Sequence, residues 1–327
     1  MRDADHPDAG RGGGDLPGPA PRAEDVRIAL QAHWELGPVA VSSLSGGMNS
    51  ATWAVAGEED PRRRWVAKLV RADQRPEFLR GLDAARRVQA VGIPTGVPEP
   101  TRGGAWSQDV AGGVLALLRW VDGEPLDGPG THEQTLMGTT LGRAHHALRD
   151  TTAVTAGTSD PARSFPAWVD VDADHLAVEE WVRPAVRAAL ARYAGLVEGA
   201  GTGLTCGVLH GDPAQDAFLW SPVLRRCGLI DWSSALRGPL LYDLASATMY
   251  VGAPDAGDAL VQAYARTGPL SAAEITLGLD VLLRVRWAVQ ADYFARRLAT
   301  DDRTGISDPA DNLKGLRDAR DSLGRHG

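Results

Sequence analysis

Val208-Leu-His-Gly-Asp-Pro-Ala-Gln-Asp-Ala-Phe-Leu-Trp220, followed shortly by Cys227-Gly-Leu-Ile-Asp-Trp232, decides how this chain is read. Each half is an apolar, strand-like run that ends in a carboxylate. Val208-Leu209 leads into His210-Gly211-Asp212, and Gly228-Leu229-Ile230 leads into Asp231. Between them, Ala217-Phe-Leu-Trp220 and the turn-forming Ser221-Pro222 predict a short hairpin that returns the second carboxylate beside the first. Two acids at the mouths of adjacent buried strands suit phosphoryl transfer, one orienting a hydroxyl and the other holding Mg²⁺. Aspartate also ends strands in turns for purely local reasons, so the neighbouring sequence has to decide.

Composition narrows the classes. The 327 residues allow one large domain or two lobes. A formal net charge of −8 and a pI near 5.5 argue against a nucleic-acid partner. Cys206 and Cys227 make neither a disulfide framework nor a zinc spacing, which fits a reducing cytoplasm. No apolar run approaches the roughly 18 residues of a membrane span, and the N-terminus lacks the apolar core of a signal peptide. A soluble, cytoplasmic protein is the expectation.

Of 34 basic residues, only Lys68 and Lys314 are lysines. Lys68 lies inside the apolar run Trp65-Val-Ala-Lys-Leu-Val70. A planar guanidinium cannot replace a compact ammonium at a tight site, so this lysine is a candidate functional residue, although a strand lysine can also snorkel to water.

Around these landmarks the pattern is ordered. Residues 1–22 are rich in Gly, Pro and Asp and predict a disordered tail. Val26, Leu30 and Trp34 recur at helical spacing. Val39–Leu44 and Ala51–Val55 read as strands joined by Ser45-Gly-Gly-Met-Asn-Ser50, where Gly46 and Gly47 would let backbone N–H groups approach a polyphosphate and Asn49 or Ser50 could add donors. The Lys68 strand follows, then a helix opened by Pro76, then strands at Ala105–Val110 and Val114–Val121. Asp122-Gly-Glu-Pro125 reads as a hinge. Beyond it the pattern is mostly helical, with capping boxes predicted at Thr131/Gln134 and Ser271/Glu274. Adjacent His145 and His146 would point about 100° apart on a helix and make a poor metal pair.

A glycine hairpin, a lysine on the third strand, a helix, two strands, a hinge and a helical second half with paired aspartates resemble the protein-kinase-like fold. His210-Gly-Asp212, Ile230-Asp-Trp232 and Tyr242-Asp-Leu-Ala245 resemble its aminoglycoside phosphotransferase/choline kinase branch. The resemblance, from about Val39 to at least Ala247, implies an α+β, two-lobed fold. Residues 23–121 would form an N-lobe with a five-stranded antiparallel sheet and a helix, and residues 122–327 a mainly helical C-lobe carrying the catalytic hairpin.

It also implies ATP and Mg²⁺ as cofactors and a hydroxyl-bearing small molecule as substrate. Asp212 would take the hydroxyl proton, Lys68 would neutralise the α and β phosphates, and His210 would brace the loop. Gly46, Gly47, Asn49 and Ser50 would cover the phosphates, and Leu118, Arg119, Trp120 and Val121 would meet the base. Asp231 would bind the metal, and Asp243 would pin the catalytic loop.

Two departures stand out. The second metal ligand of the family, an Asn, is replaced by Ala217, leaving Asp216 or Gln215 as substitutes. The acid that pairs with Lys68 is not evident, Asp83 and Glu77 being candidates. These departures leave a second reading open, a nucleotide-binding protein that transfers no phosphate and acts through a partner. For the substrate, Asp280, Asp292, Asp301 and Asp302 suit a polycation. Arg284, Arg286 and Arg297, with Trp287, Tyr293 and Phe294, suit an anionic or sugar-like acceptor.

Overall fold

A computed structural model describes residues 21–44, 50–150, 160–199, 203–253, 255–304, 306, 308 and 310–324. Nearly all of the expected tail, together with Gly46, Gly47 and Asn49, lies outside the described residues.

Five strands form one antiparallel sheet: β1 (Val39–Ser43), β2 (Ala51–Gly57), β3 (Arg64–Val70), β4 (Gln108–Val110) and β5 (Gly113–Arg119), in the order β1-β2-β3-β5-β4. Its two faces follow from the period of two along each strand. Trp65, Ala67 and Leu69 join Trp53, Val55, Leu115 and Leu117 on one face, where helix α1 (Ala23–His33) adds Val26 and Leu30. Val70, Val114 and Ala116 occupy the other, packed on Phe78 and Leu82 of α2 (Arg75–Ala90). Lys68 belongs to this second face, opposite Thr52 on β2 and Ala116 on β5.

The chain leaves the sheet through β6 (Glu124–Pro125), which pairs with a strand of the predicted hairpin, and then enters α3 (Thr131–Leu148). Thr131 is the first helical residue rather than the cap. Gly130 holds the cap position, and the Gln134 side chain donates to Pro129 O at 3.1 Å, so the expected box at Thr131 is not formed. Helix α4 (Val182–Gly199) follows a 3-10 turn at Asp174–Ala177. Next come β7 (Cys206–Leu209), β8 (Phe218–Ser221), β9 (Arg226–Leu229) and β10 (Leu236–Pro239). β8 and β9 make the hairpin, flanked by β6, while β7 pairs with β10.

Four helices follow among the described residues: α5 (Leu241–Tyr250), α6 (Asp258–Thr267), α7 (Ala272–Ala299) and α8 (Ala310–Gly324). Ser271 caps α7 by accepting from Glu274 N at 3.1 Å. Glu274 does not close the box. Its carboxylate binds Thr205 N and Oγ1, both at 2.8 Å, and ties α7 to the start of β7. The largest core joins α3, α5 and α7 to the hairpin through Leu141, Leu209, Phe218, Leu229, Leu244 and Leu282, all fully buried. No helix among the described residues is long and apolar enough to cross a membrane.

Candidate active site

Lys68 and Asp231 meet where the sheet faces the hairpin. The lysine is 6% exposed, and its Nζ is ion-paired with Asp231 Oδ1. Ser233 Oγ donates to the same oxygen at 2.6 Å. Partial desolvation would raise the half-exposed Asp231 carboxyl, but the Lys68 ammonium and the Ser233 hydroxyl hold it well below the usual carboxylate range. Asp231 has a left-handed backbone (φ 64°, ψ 60°), a conformation costly for a non-glycine residue and often kept where function needs it. That turn aims the carboxylate at Lys68 instead of continuing β9. The lysine's ion pair is therefore with the hairpin acid. Asp83 stands 3.8 Å from Arg86, and Glu77 lies in the first turn of α2.

The His-Gly-Asp loop is held from three sides, two of them by the Asp231 turn. His210, 1% exposed, hydrogen-bonds through Nε2 to Ile230 O at 2.8 Å. A carbonyl only accepts, so Nε2 carries the proton. The imidazole also packs edge-on against Trp232 with centroids 4.7 Å apart. The ring is thus enclosed, bonded through Nε2, with its buried Nδ1 lacking a partner among the described residues. Gly211 (φ 90°) lets the loop cross the turn closely: a Cβ there would stand 2.2 Å from Ser234 O. Third, the fully buried Asp243 on α5 accepts from His210 N at 2.6 Å and Gly211 N at 3.0 Å.

Asp243 is itself held by His145 Nε2 at 3.1 Å, and His145 Nδ1 meets Tyr264 Oη at 2.6 Å. Burial pushes the Tyr264 phenol well above its ordinary range, so it stays a donor. His145, singled out in the sequence only as a poor metal ligand, is a buried link in the support of this loop.

Asp212 ends the loop with its carboxylate half exposed. Its Oδ1 accepts from Tyr250 Oη and from Arg286 Nη2 at 3.2 Å, and Arg286 Nη2 also donates to Tyr250 Oη at 2.8 Å. Tyr250 has no counterpart in the sequence reading, and Arg286 figured there only as part of a possible acceptor surface. No local pattern marks either, because they come from α5 and α7, far along the chain. Ala217 is buried, and its carbonyl accepts from Ile230 N at 2.9 Å, so position 217 sits beside Asp231 in the hairpin without a ligand atom. Asp216, one residue earlier in a 3-10 turn, is exposed. Gln215 lies against Gly128, its buried Oε1 without a partner among the described residues.

At the end of β5, Arg119 N–H donates to Val97 O at 2.9 Å and Trp120 N–H to Arg64 O at 3.3 Å. Leu118 bridges Pro98, and Val121 N–H has no partner among the described residues. Ser50 is half-buried at the start of β2. The acids suited to a polycation are each paired: Asp280 with Arg284, Asp292 with His175 and Arg296, Asp301 with Arg303, and Asp302 with Arg297.

This architecture recurs in solved structures. A microcompartment-associated aminopropanol kinase matches with a TM-score of 0.69 at 21% identity, covering 91% of this chain and 95% of that one. The choline kinase of Streptococcus pneumoniae matches at 0.63 and 15%, covering 93% and 99%. An amicoumacin kinase, in complex with AMP-PNP and Ca²⁺, matches at 0.62 and 16%, covering 92% and 94%. No match was found among curated proteins. Residues 40–275, most of the chain, match the phosphotransferase enzyme family, and the chain is a member of that family.

Proposed function

We propose that the chain transfers the γ-phosphoryl group of ATP to a hydroxyl of a small molecule. The observation that carries this is the meeting of Lys68 and Asp231 beside a His-Gly-Asp loop braced against the same turn. The substrate O–H proton passes to Asp212 as the oxygen bonds to the γ phosphorus. The bond from that phosphorus to the β–γ bridging oxygen breaks, and ADP leaves. Lys68 neutralises charge on the phosphates. Residues 23–121 form the nucleotide-binding lobe and 122–327 the catalytic and substrate-binding lobe. Gly46, Gly47, Asn49 and Ser50 cover the phosphates, and Leu118 to Val121 line the base.

The acids fit Mg²⁺. Asp231 keeps Oδ2 without a protein partner among the described residues, and Asp216 is exposed one residue before the ligand-free Ala217. Among the described residues no cluster of three or more His, Cys, Asp or Glu is poised for a metal. A nucleotide-bound Mg²⁺ needs none, because one or two carboxylates plus phosphates and waters complete its shell. When bound, the ion neutralises charge on the transferring phosphates.

Solved relatives crystallised with AMP-PNP, ADP or AMP support the choice of nucleotide. The pairing of every candidate acid on α7 and in the loop after it favours a neutral or weakly charged acceptor over a polycation. The test is mass spectrometry of a panel of amino alcohols, sugars, aminoglycosides and peptide antibiotics incubated with Mg·ATP. One compound should gain a phosphoryl group, and Asp212→Asn should lose at least about 100-fold in rate. An Asp212→Asn variant as fast as its parent would sink the proposal. The ligand-free Ala217 favours a second reading, nucleotide binding without transfer, which predicts thermal stabilisation by Mg·ATP and no adduct on any compound.

A further inference from the structure

Arg286 is an odd residue to bury. It is 8% exposed, its Nε is buried with no partner among the described residues, and a bare buried donor of this kind destabilises the fold. Its partner Asp212 is half exposed and open to hydration, so an apolar side chain of similar volume at 286 would leave no buried charge unpaired. Its remaining contacts are therefore what the position is for, and both lead to the catalytic loop. Nη2 reaches Asp212 Oδ1 at 3.2 Å and Tyr250 Oη at 2.8 Å, and the guanidinium carbon lies 5.4 Å from the Tyr250 ring centre.

Tyr250 Oη in turn donates to Oδ1 of Asp212. Burial is the main force pushing this phenol above its ordinary range, with Asp212 adding to it and Arg286 opposing, so the hydroxyl keeps its proton and its direction. Both bonds converge on one carboxylate oxygen. Oδ2 has no partner among the described residues, and the side chain is half exposed.

We propose that Arg286 and Tyr250 are positioning residues for phosphoryl transfer: they fix Asp212 by Oδ1 and leave Oδ2 as the oxygen that receives the substrate proton. The argument rests on the kinase reading above. A carboxylate free to rotate about its side-chain bonds would present either oxygen over a range of directions. Two donors from α5 and α7, one of them a rigid planar fork, remove that freedom before the substrate arrives. The roles divide by reach: Tyr250 sets the direction of the carboxylate, and Arg286 holds both the carboxylate and the tyrosine.

The test compares Tyr250→Phe, Arg286→Met and Arg286→Lys in the full chain. The readouts are nucleotide affinity, thermal melting, and steady-state turnover of Mg·ATP with the best acceptor of the panel and with water alone. Tyr250→Phe should lower kcat about 10-fold, the order one hydrogen bond to a charged group carries. Its KM for ATP and melting temperature should match the parent. Arg286→Met should lower kcat about 100-fold, the scale of a displaced catalytic group, while melting at or above the parent temperature. Arg286→Lys should recover part of that loss, since an ammonium can serve one of the two acceptors.

Parental kcat in both Tyr250→Phe and Arg286→Met, with an active parent enzyme, overturns the positioning role and leaves the kinase reading intact. Equal losses of melting temperature, nucleotide affinity and kcat also overturn it, because they describe a merely structural pair. A parent that binds Mg·ATP and turns it over with no acceptor, water included, overturns the kinase reading and this inference with it.

Discussion

Lys68 and Asp231 neutralise one another across the gap between sheet and hairpin, and the pair carries a pH signature. The folded carboxyl is depressed below its unfolded value, so its contribution to stability is present above about pH 4, the unfolded carboxylate range. It is lost as pH falls further through the folded value. In metal-free buffer, Lys68→Met should therefore melt below the parent at neutral pH, with the gap closing in acid. A gap that widens in acid would show that the ion pair is not its source.

The lysine itself is legible because all but two of the chain's 34 basic residues, Lys68 and Lys314, are arginine. Its partner is not. The expectation looked for an acid on the following helix, whereas a left-handed backbone at Asp231 swings that carboxylate back across the gap. Spacing along a sequence carries no signal for a single residue's backbone hand.

At the scale of elements, the order of strands and helices could be read from periodicity, but the supports that aim the site could not. Asp212 and Asp231 were placed by their strand endings. Tyr250, Arg286, His145 and Tyr264 reach the loop from four helices, and nothing in a one-dimensional pattern brings them together. One such support is α2, which packs against the turn after Asp231 so closely that a Cβ at Gly81 would lie 2.0 Å from Trp232 O. Gly81→Ala must part helix from turn. It should cost about 2 kcal/mol, the scale of an overpacked contact, and reduce kcat more than it raises KM for ATP. Steady-state kinetics with a denaturant melt would check both. On the other side of the loop, His145→Ala leaves Asp243 buried with one donor fewer. It should destabilise by about 2–3 kcal/mol, visible in the same melt, whereas His146→Ala on the neighbouring face should change little.

Across the whole molecule, sheet and helical part are joined by more than the covalent hinge. β6 pairs with β8, Leu126 N–H donates to Phe218 O at 3.0 Å, and Leu229 N–H donates to Pro94 O at 2.8 Å. Arg80 of α2 reaches Ala235 O at 3.1 Å, beyond the Asp231 turn. Mg·ATP should raise the melting temperature of the intact chain, and Asp231→Asn should remove most of that gain in Mg²⁺ while leaving less to lose in chelator; a calorimetric titration would measure it.

The hairpin thus acts as a splint laid across the joint. The segment after α2, at Pro94, and the crossing after β5, at β6 and Leu126, are both stitched to it. A molecule splinted in this way should resist opening by a bend at 122–125. Its slow amide exchange should be shared: protons of β5, β6, β8 and β9 should wash out together, in one opening event, rather than as two independently loosening halves.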